Sequence, residues 1–263
     1  MIPKIIHYCW LSNDPIPQNL QNYMESWKKY LPDYEFIHWN FDRFPKSQSK
    51  WVSAAFDNKK YAFAADYIRL YALYNYGGIY LDMDVEVLKP YGDFLNLSTM
   101  IGYENSKSQG LEVAAFGVEK NSPWIKMCLD HYDQRDFVNS DGSFNDQPLP
   151  GVIKHLLIKN DYNLVNVASL EEAVRVNGKA IPVFPMDFFS PKNHVTGKVE
   201  RSNRSYTIHH FAGSWEPLWQ QYEKKFWHSM GLRDMRIILR IKNLFKYGSI
   251  KSVPEKSRAN KKM

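Results

Sequence analysis

The chain has 263 residues, 44% of them hydrophobic and 15% aromatic, which suits one large domain with a real core, or two small ones, and excludes a disordered chain. No run of 18 or more apolar residues occurs, the N-terminus lacks a charged region followed by a long apolar stretch, and the two cysteines, Cys9 and Cys128, form no CxxC pair; these features argue against a membrane span, a leader, a zinc site or a disulfide framework, and for a reduced cytosolic protein. The net charge of +6 is uneven: residues 218–263 carry twelve Lys or Arg against three acids, so residues 1–217 are acidic by three charges.

In chain order, the apolar run 4–10 ends at the turn signal Ser12-Asn13-Asp14-Pro15 and reads as a buried strand. Helical spacing of Leu20, Tyr23, Met24, Trp27 and Tyr30 predicts a helix over 18–30, stopped before Pro32, and 35–39 follows as a second strand. Strand, helix and strand at this spacing imply a βαβ unit and a parallel sheet. A short helix is expected at 51–58 and a stronger one at 61–76, closed by Gly77-Gly78. Ile79–Leu81 is expected as a strand running into Asp82-Met83-Asp84, with Val85–Leu88 continuing it to Lys89-Pro90. Further strands are expected at 99–103, 113–118, 181–184 and 206–210, and helices at 123–134 and near 148–158. Residues 232–247 form an amphipathic pattern with Arg233, Arg236 and Arg240 on one side, and the chain from Gly248 reads as disordered. The domain reading is therefore 1–217 as the catalytic body, 218–247 as a helical extension and 248–263 as a basic tail.

Four groups of residues have the chemistry of a site. Asp82 and Asp84, at i and i+2, can converge at a strand's end. Two converging carboxylates repel unless a cation lies between them, and hard divalent cations such as Mn2+ or Mg2+ bridge carboxylates to a diphosphate. A solvated acidic turn is the bland alternative, but the buried strand aimed at the pair favours a site, since open α/β sheets bind ligands at strand carboxyl ends. Asp66 and Arg69 share a helix face at i, i+3, with the small Ala62 and Ala65 beside them; a surface ion pair is the alternative. His209-His210, before Phe211-Ala212-Gly213-Ser214-Trp215, offers a metal ligand and phosphate contacts, or two structural histidines. Asn145-Asp146-Gln147 can cap a helix or reach sugar hydroxyls.

Ile2–Trp10, Ala64-Ala65-Asp66-Tyr67-Ile68-Arg69, Gly77–Asp84 and His210–Trp215, in that order, resemble glycosyltransferase family 32, which includes bacterial capsular and surface polysaccharide transferases and yeast α-mannosyltransferases. The DxD region is also similar to that of the large glucosylating toxins. The resemblance spans roughly residues 2–215. It implies a GT-A fold, a Rossmann-like α/β/α sandwich with the DxD motif at a strand end, and retaining, metal-dependent transfer from a nucleoside diphosphate sugar. It also implies roles for single residues. Trp10 would stack on the base, Tyr80 would pack by base or ribose, and Asp66 and Arg69 would hold the donor sugar and phosphate. Asp82 and Asp84 would serve the metal and the chemistry, with His210 as a further metal ligand, and Ser214 and Trp215 would touch the diphosphate. Asp146 and Gln147 are similar to an Asp-Gln segment that lies near the anomeric carbon in a neighbouring retaining family. Two departures are visible: Ala65 stands where the family commonly has serine, and Asn145-Asp146-Gln147-Pro148 replaces a small-residue-Pro stretch.

The expected activity is sugar transfer to a growing surface polysaccharide or lipid-linked oligosaccharide, with a nucleotide-sugar hydrolase or a non-catalytic nucleotide-sugar-binding protein as alternatives. The basic amphipathic end suits either the anionic inner face of a membrane or a packed terminal helix. The acidic body and the lack of a recognition motif argue against nucleic acid as a partner.

Overall fold

The structure, a computed structural model, describes residues 1–105, 110–194, 196–213 and 241. It divides into two compact units, Met1–Lys192 with Val199–Trp215, and Asn193–Lys198 with Glu216–Met263. Described residues of the second form a tight turn, in which the Gly197 N–H donates to the Asn193 carbonyl at 2.7 Å. Apart from residue 241, the helix expected at 232–247 and the basic tail lie outside the described residues, as do Ser214 and Trp215.

The elements of the first unit are β1 (Ile5–Cys9), α1 (Gln18–Tyr30), β2 (Glu35–Trp39), α2 (Lys50–Asp57), α3 (Tyr61–Tyr76), β3 (Gly78–Leu81) and β4 (Val85–Val87). They continue with β5 (Thr99–Tyr103), β6 (Leu111–Val118), α4 (Pro123–Asp133), α5 (Leu149–Lys159) and β7 (Asn163–Asn166). The last are α6 (Leu170–Val174), β8 (Ala180–Val183), α7 (Met186–Phe189) and β9 (Thr207–His209). The central sheet has the order β2-β1-β3-β6-β5. β1 runs parallel to both β2 and β3, as the βαβ spacing predicts, whereas β6 is antiparallel to β3 and to β5. The sheet is therefore mixed, not all parallel, and the architecture is α/β as the resemblance implies.

Period-two alternation splits the core. On β3, Tyr80 joins an apolar layer with α2, α3, α4 and α5, while Ile79 and Leu81 join the opposite layer with Trp27 and Leu31 from the α1 side, the 91–97 segment and α7. Each large apolar side chain fully buried in these layers contributes about 1.5–3 kcal/mol. α3 is buried on several sides because it lies against the sheet and also packs on α2 and α4. Its sequence, rich in Ala, Leu and Tyr, supplies apolar atoms in each direction. At its end Gly77 adopts φ 67° and Gly78 φ 96°. A Cβ on Gly77 would meet the Lys120 backbone nitrogen at 2.6 Å, and one on Gly78 the Ile5 carbonyl at 2.6 Å. The two glycines thus let the chain turn from α3 into β3 hard against β1.

Three expectations are corrected. Val85–Leu88 does not prolong β3: the chain turns at Asp82-Met83-Asp84, the Val85 N–H donating to the Asp82 carbonyl at 3.0 Å. β4 instead pairs antiparallel with β9 in a separate ribbon, held to α1 by Trp27 Nε1 donating to the Val85 carbonyl at 2.7 Å. β6 begins at Leu111, not Val113, and β7, α6 and α7 are short elements that the pattern did not signal. Cys9 and Cys128 form no disulfide. Among the described residues no helix is long and apolar enough to cross a membrane.

Candidate active site

The site lies at the carboxyl end of β3, where a buried strand delivers two carboxylates into a turn. The Asp82 N–H still donates to Ala114 of β6 at 2.8 Å, so the sheet's ladder fixes the first aspartate. The β9 end fixes the second: the His210 N–H donates to the Asp84 carbonyl at 2.9 Å, and the Ala212 N–H to Asp84 Oδ2 at 2.6 Å. Between them Phe211 takes φ 53°, a left-handed conformation rare for a bulky residue. That reversal brings the Ala212 N–H round to the carboxylate.

The pairing Val85↔His209 sets which histidine enters the site. Successive side chains on a strand point opposite ways, so only one of the two adjacent rings can face the aspartates. It is His209: its Nε2 lies 3.6 Å from Asp84 Oδ1, and one ligand atom each from Asp82, Asp84 and His209 fall within 4.8 Å of one another. His210 turns away, its Nε2 2.9 Å from Glu86 Oε2 and its ring stacked 4.2 Å from that of Tyr23. The expectation of His210 as the third ligand is corrected accordingly.

Asp66 and Arg69 are not a surface pair; both are buried. Arg69 Nη2 lies 3.0 Å from Asp82 Oδ1 and 3.5 Å from Asp66 Oδ1, while Nη1 donates to the Val113 carbonyl at 2.7 Å. The guanidinium sits 4.4 Å over the Tyr80 ring. Tyr80 is only 1% exposed, so it supports Arg69 from below and presents no face to a base. The role expected of Tyr80 beside a base or ribose is corrected by that burial. Trp10 follows β1 at the same sheet edge, its indole Nε1 donating to the Asp14 carbonyl at 2.8 Å. Asp146 lies in the segment before α5, 3.8 Å from Lys60 Nζ and about half exposed, and Gln147 lies against Gly151.

The sequence pattern did not single out Glu112. It is 1% exposed in β6, with Oε2 3.3 Å from His209 Nδ1 and Oε1 accepting from the Ala114 N–H at 2.8 Å. Its signal was present: one acid inside the apolar run Leu111–Val118. Nearby Glu104 was missed too, being a polar residue at a strand's end with nothing local to mark it.

Burial and charge set the ionisation here. Burial pushes the Asp66 carboxyl up to about 6, with Asp82 adding to the shift and Arg69 opposing it. Burial likewise raises Asp82, against the pull of Arg69 and with a push from Asp84. Burial alone would lower His209, but Glu112, Asp84 and Asp82 outweigh it and raise it to about 9. Burial would raise Glu112, but the His209 charge together with hydrogen bonds from His209, Ser190 and the Ala114 N–H outweighs that and lowers it. Burial and Glu112 push Glu104 up to about 7, with His209 opposing. Asp66, Asp82, Asp84 and Glu112 thus crowd around two cations, Arg69 and His209. Two carboxylates and an imidazole nitrogen are a donor set suited to Mn2+, and less so to Mg2+, which prefers oxygen. A divalent charge would offset the excess of acids, so the residues present fit such an ion.

Residues 17–106 match the family described as the glycosyltransferase sugar-binding region containing a DXD motif. Inositol phosphoceramide mannosyltransferase 3 of Schizosaccharomyces pombe is 30% identical over 128 residues, covering 47% of this chain and 35% of that one. Mannosyl phosphorylinositol ceramide synthase of Saccharomyces cerevisiae is 29% identical over 148 residues, covering 52% and 37%. The chain thus spans little more than a third of the length of these curated relatives. Among solved structures, the PaToxG glycosyltransferase is similar at 22% identity and a TM-score of 0.48, over 61% of this chain and 70% of that one. The matched segment contains Asp66, Arg69, Asp82 and Asp84, and Trp10, Glu112 and His209 lie outside it. Residues 17–106, which include the aspartate pair at the end of β3, are thus similar to the glycosyltransferase sugar-binding region that contains a DXD motif.

Proposed function

We propose that the protein transfers a sugar from a nucleoside diphosphate sugar to a glycan or lipid-linked acceptor, with retention at the anomeric carbon and with a divalent cation, Mn2+ or Mg2+, at Asp82, Asp84 and His209. The observation that carries this reading is the convergence of those three ligand atoms within 4.8 Å at the carboxyl end of a buried strand. When bound, the cation would act as a Lewis acid toward the leaving diphosphate. The chain's own residues provide the rest. The loop 210–212 holds Asp84 through two backbone N–H groups. Arg69 holds Asp82 and Asp66 in one array, in which Asp66 is the group suited to a donor sugar hydroxyl. Trp10, at the end of β1, is the aromatic face suited to the nucleobase. Fixing the donor this way turns binding energy into orientation. The carboxylates nearest the cation are committed to Arg69, the Ala212 N–H and the metal, so retention is assigned to same-face attack by the acceptor hydroxyl.

The S. pombe and S. cerevisiae relatives are named for mannose transfer to an inositol phosphoceramide, which puts mannose donors and lipid-borne acceptors among the substrates to be tried. A cytoplasmic enzyme working at a membrane surface, as in bacterial surface polysaccharide assembly, fits the basic C-terminal composition. The test is nucleoside diphosphate release from a panel of UDP- and GDP-sugars, with Mn2+ or with EDTA, in the presence of candidate acceptors. EDTA-sensitive turnover of one donor with sugar appearing on an acceptor is expected. Turnover indifferent to EDTA would sink the metal assignment, and free sugar as the sole product with every acceptor would make the protein a hydrolase.

A further inference from the structure

We infer that Glu112 is a positioning residue for His209: it holds the Nδ1–H, so that Nε2, on the side of Asp82 and Asp84, is the nitrogen whose proton the cation displaces. This rests on the metal reading above. Glu112 is the one acid of β6, 1% exposed among apolar neighbours. A carboxylate there is costly to desolvate, and an apolar side chain would fill the strand position more favourably. The position is therefore explained by what the carboxylate touches. One oxygen accepts from the Ala114 N–H at 2.8 Å, and the other lies 3.3 Å from His209 Nδ1.

Without a cation the ring lies between carboxylates, Glu112 at Nδ1 and Asp84 at Nε2, and a cation on the aspartates leaves the choice to Glu112. Pairing with Val85 fixes the His209 backbone, and the Phe211 ring lies 3.9 Å from the imidazole. Neither contact distinguishes one ring nitrogen from the other. The carboxylate does, because an ionised acid only accepts and so selects an N–H at Nδ1. The nitrogen on the opposite side, 3.6 Å from Asp84 Oδ1, is then the one that exchanges its proton for a metal.

Glu112→Gln tests this with little change of shape. An amide has one accepting end. With that end on the Ala114 N–H, its NH2 faces Nδ1 and selects the proton onto Nε2, which closes the ligand. Mn2+ binding to the full chain, followed by calorimetry without donor, is expected to weaken by about 10–100-fold. His209→Asn should weaken it at least as much, and the double variant no further than His209→Asn alone. Wild-type affinity in Glu112→Gln, or additive losses in the double variant, would overturn the inference. Should Glu112→Gln fail to fold by circular dichroism, long-range 1H–15N correlation spectra of the wild-type chain loaded with diamagnetic Zn2+ decide. A His209 proton on Nδ1 is expected, and one on Nε2 overturns the assignment. Failure of the wild type itself to take up Mn2+, with Asp84→Asn indistinguishable from it, would remove the metal reading and this one together. Loss of binding in Asp84→Asn beside unchanged binding in Glu112→Gln would remove only the role of Glu112.

Discussion

The two ends of β3 each meet a histidine, and the two are in opposite states. At the start, His7 Nε2 lies 2.7 Å from the Gly77 carbonyl, and Trp39 Nε1 donates to its Nδ1 at 3.1 Å. Both nitrogens are satisfied by the neutral ring. Burial lowers His7 to about 4, and the Arg43 charge adds to that against the Gly77 bond. At the other end His209 is part-buried, and burial would likewise lower it, yet the surrounding acids raise it to about 9. Burial acts the same way on both rings. The partners decide: a carbonyl and an indole keep His7 uncharged, while three carboxylates call for positive charge at His209. One end is a packing joint and the other is built for a cation.

The largest expected effect comes from removing the cation already inside the charged end. Arg69→Ala leaves the buried Asp66 and the part-exposed Asp82 without their partner and should cost about 3 kcal/mol of stability, read from urea unfolding. A loss below about 1 kcal/mol would mean that solvent reaches these acids, and the contrast between the two ends would break. Next is Asp84→Asn, which should lower transfer by about 100–1000-fold with unfolding unchanged or improved, since one repelling charge is gone. Unaltered turnover under strict metal control would remove Asp84 from the site.

The neutral end makes a prediction of comparable size about pH. Above pH 6.5 neither the folded nor the unfolded chain protonates His7, and its full contribution is present. As pH falls from 6.5 toward 4, the unfolded chain takes up a proton that the folded pocket refuses, so stability is lost across that window, by about 3 kcal/mol in all. Urea unfolding of His7→Gln should show a flatter dependence between pH 4 and 7 than the wild type; equal slopes would assign the loss to other groups. The smallest effect is steric. Gly78→Ala forces a Cβ against the Ile5 carbonyl at a φ of 96°, and should cost about 1–3 kcal/mol without touching the aspartates. If its activity at saturating donor fell more than its stability, the two ends would be coupled.

Much of this was legible in local residue order. Asp82 and Asp84 were placed at a strand's end because Gly77–Leu81 is an apolar run with glycine stops. Asp66 and Arg69 were put on one helix face because i, i+3 spacing requires it. What was misread depends on contacts far apart in the chain. Spacing cannot tell a surface ion pair from a buried Arg69 bridging Asp66 and Asp82, because the difference is the covering of α3 by neighbouring helices and the sheet. Nor could Tyr80 be recognised as the support beneath Arg69 when an aromatic before a DxD pair equally suits a base.

The sequence by itself determined the alternating α/β elements, the glycine turn into β3 and the convergence of two carboxylates at its end, since these follow from periodicity and backbone freedom over a few residues. Only the tertiary structure decided that His209 and not His210 faces them, and that Glu112 stands behind it. The choice depends on the register of β9 against β4, more than a hundred residues apart in the chain, and a slip of one residue would exchange the two rings.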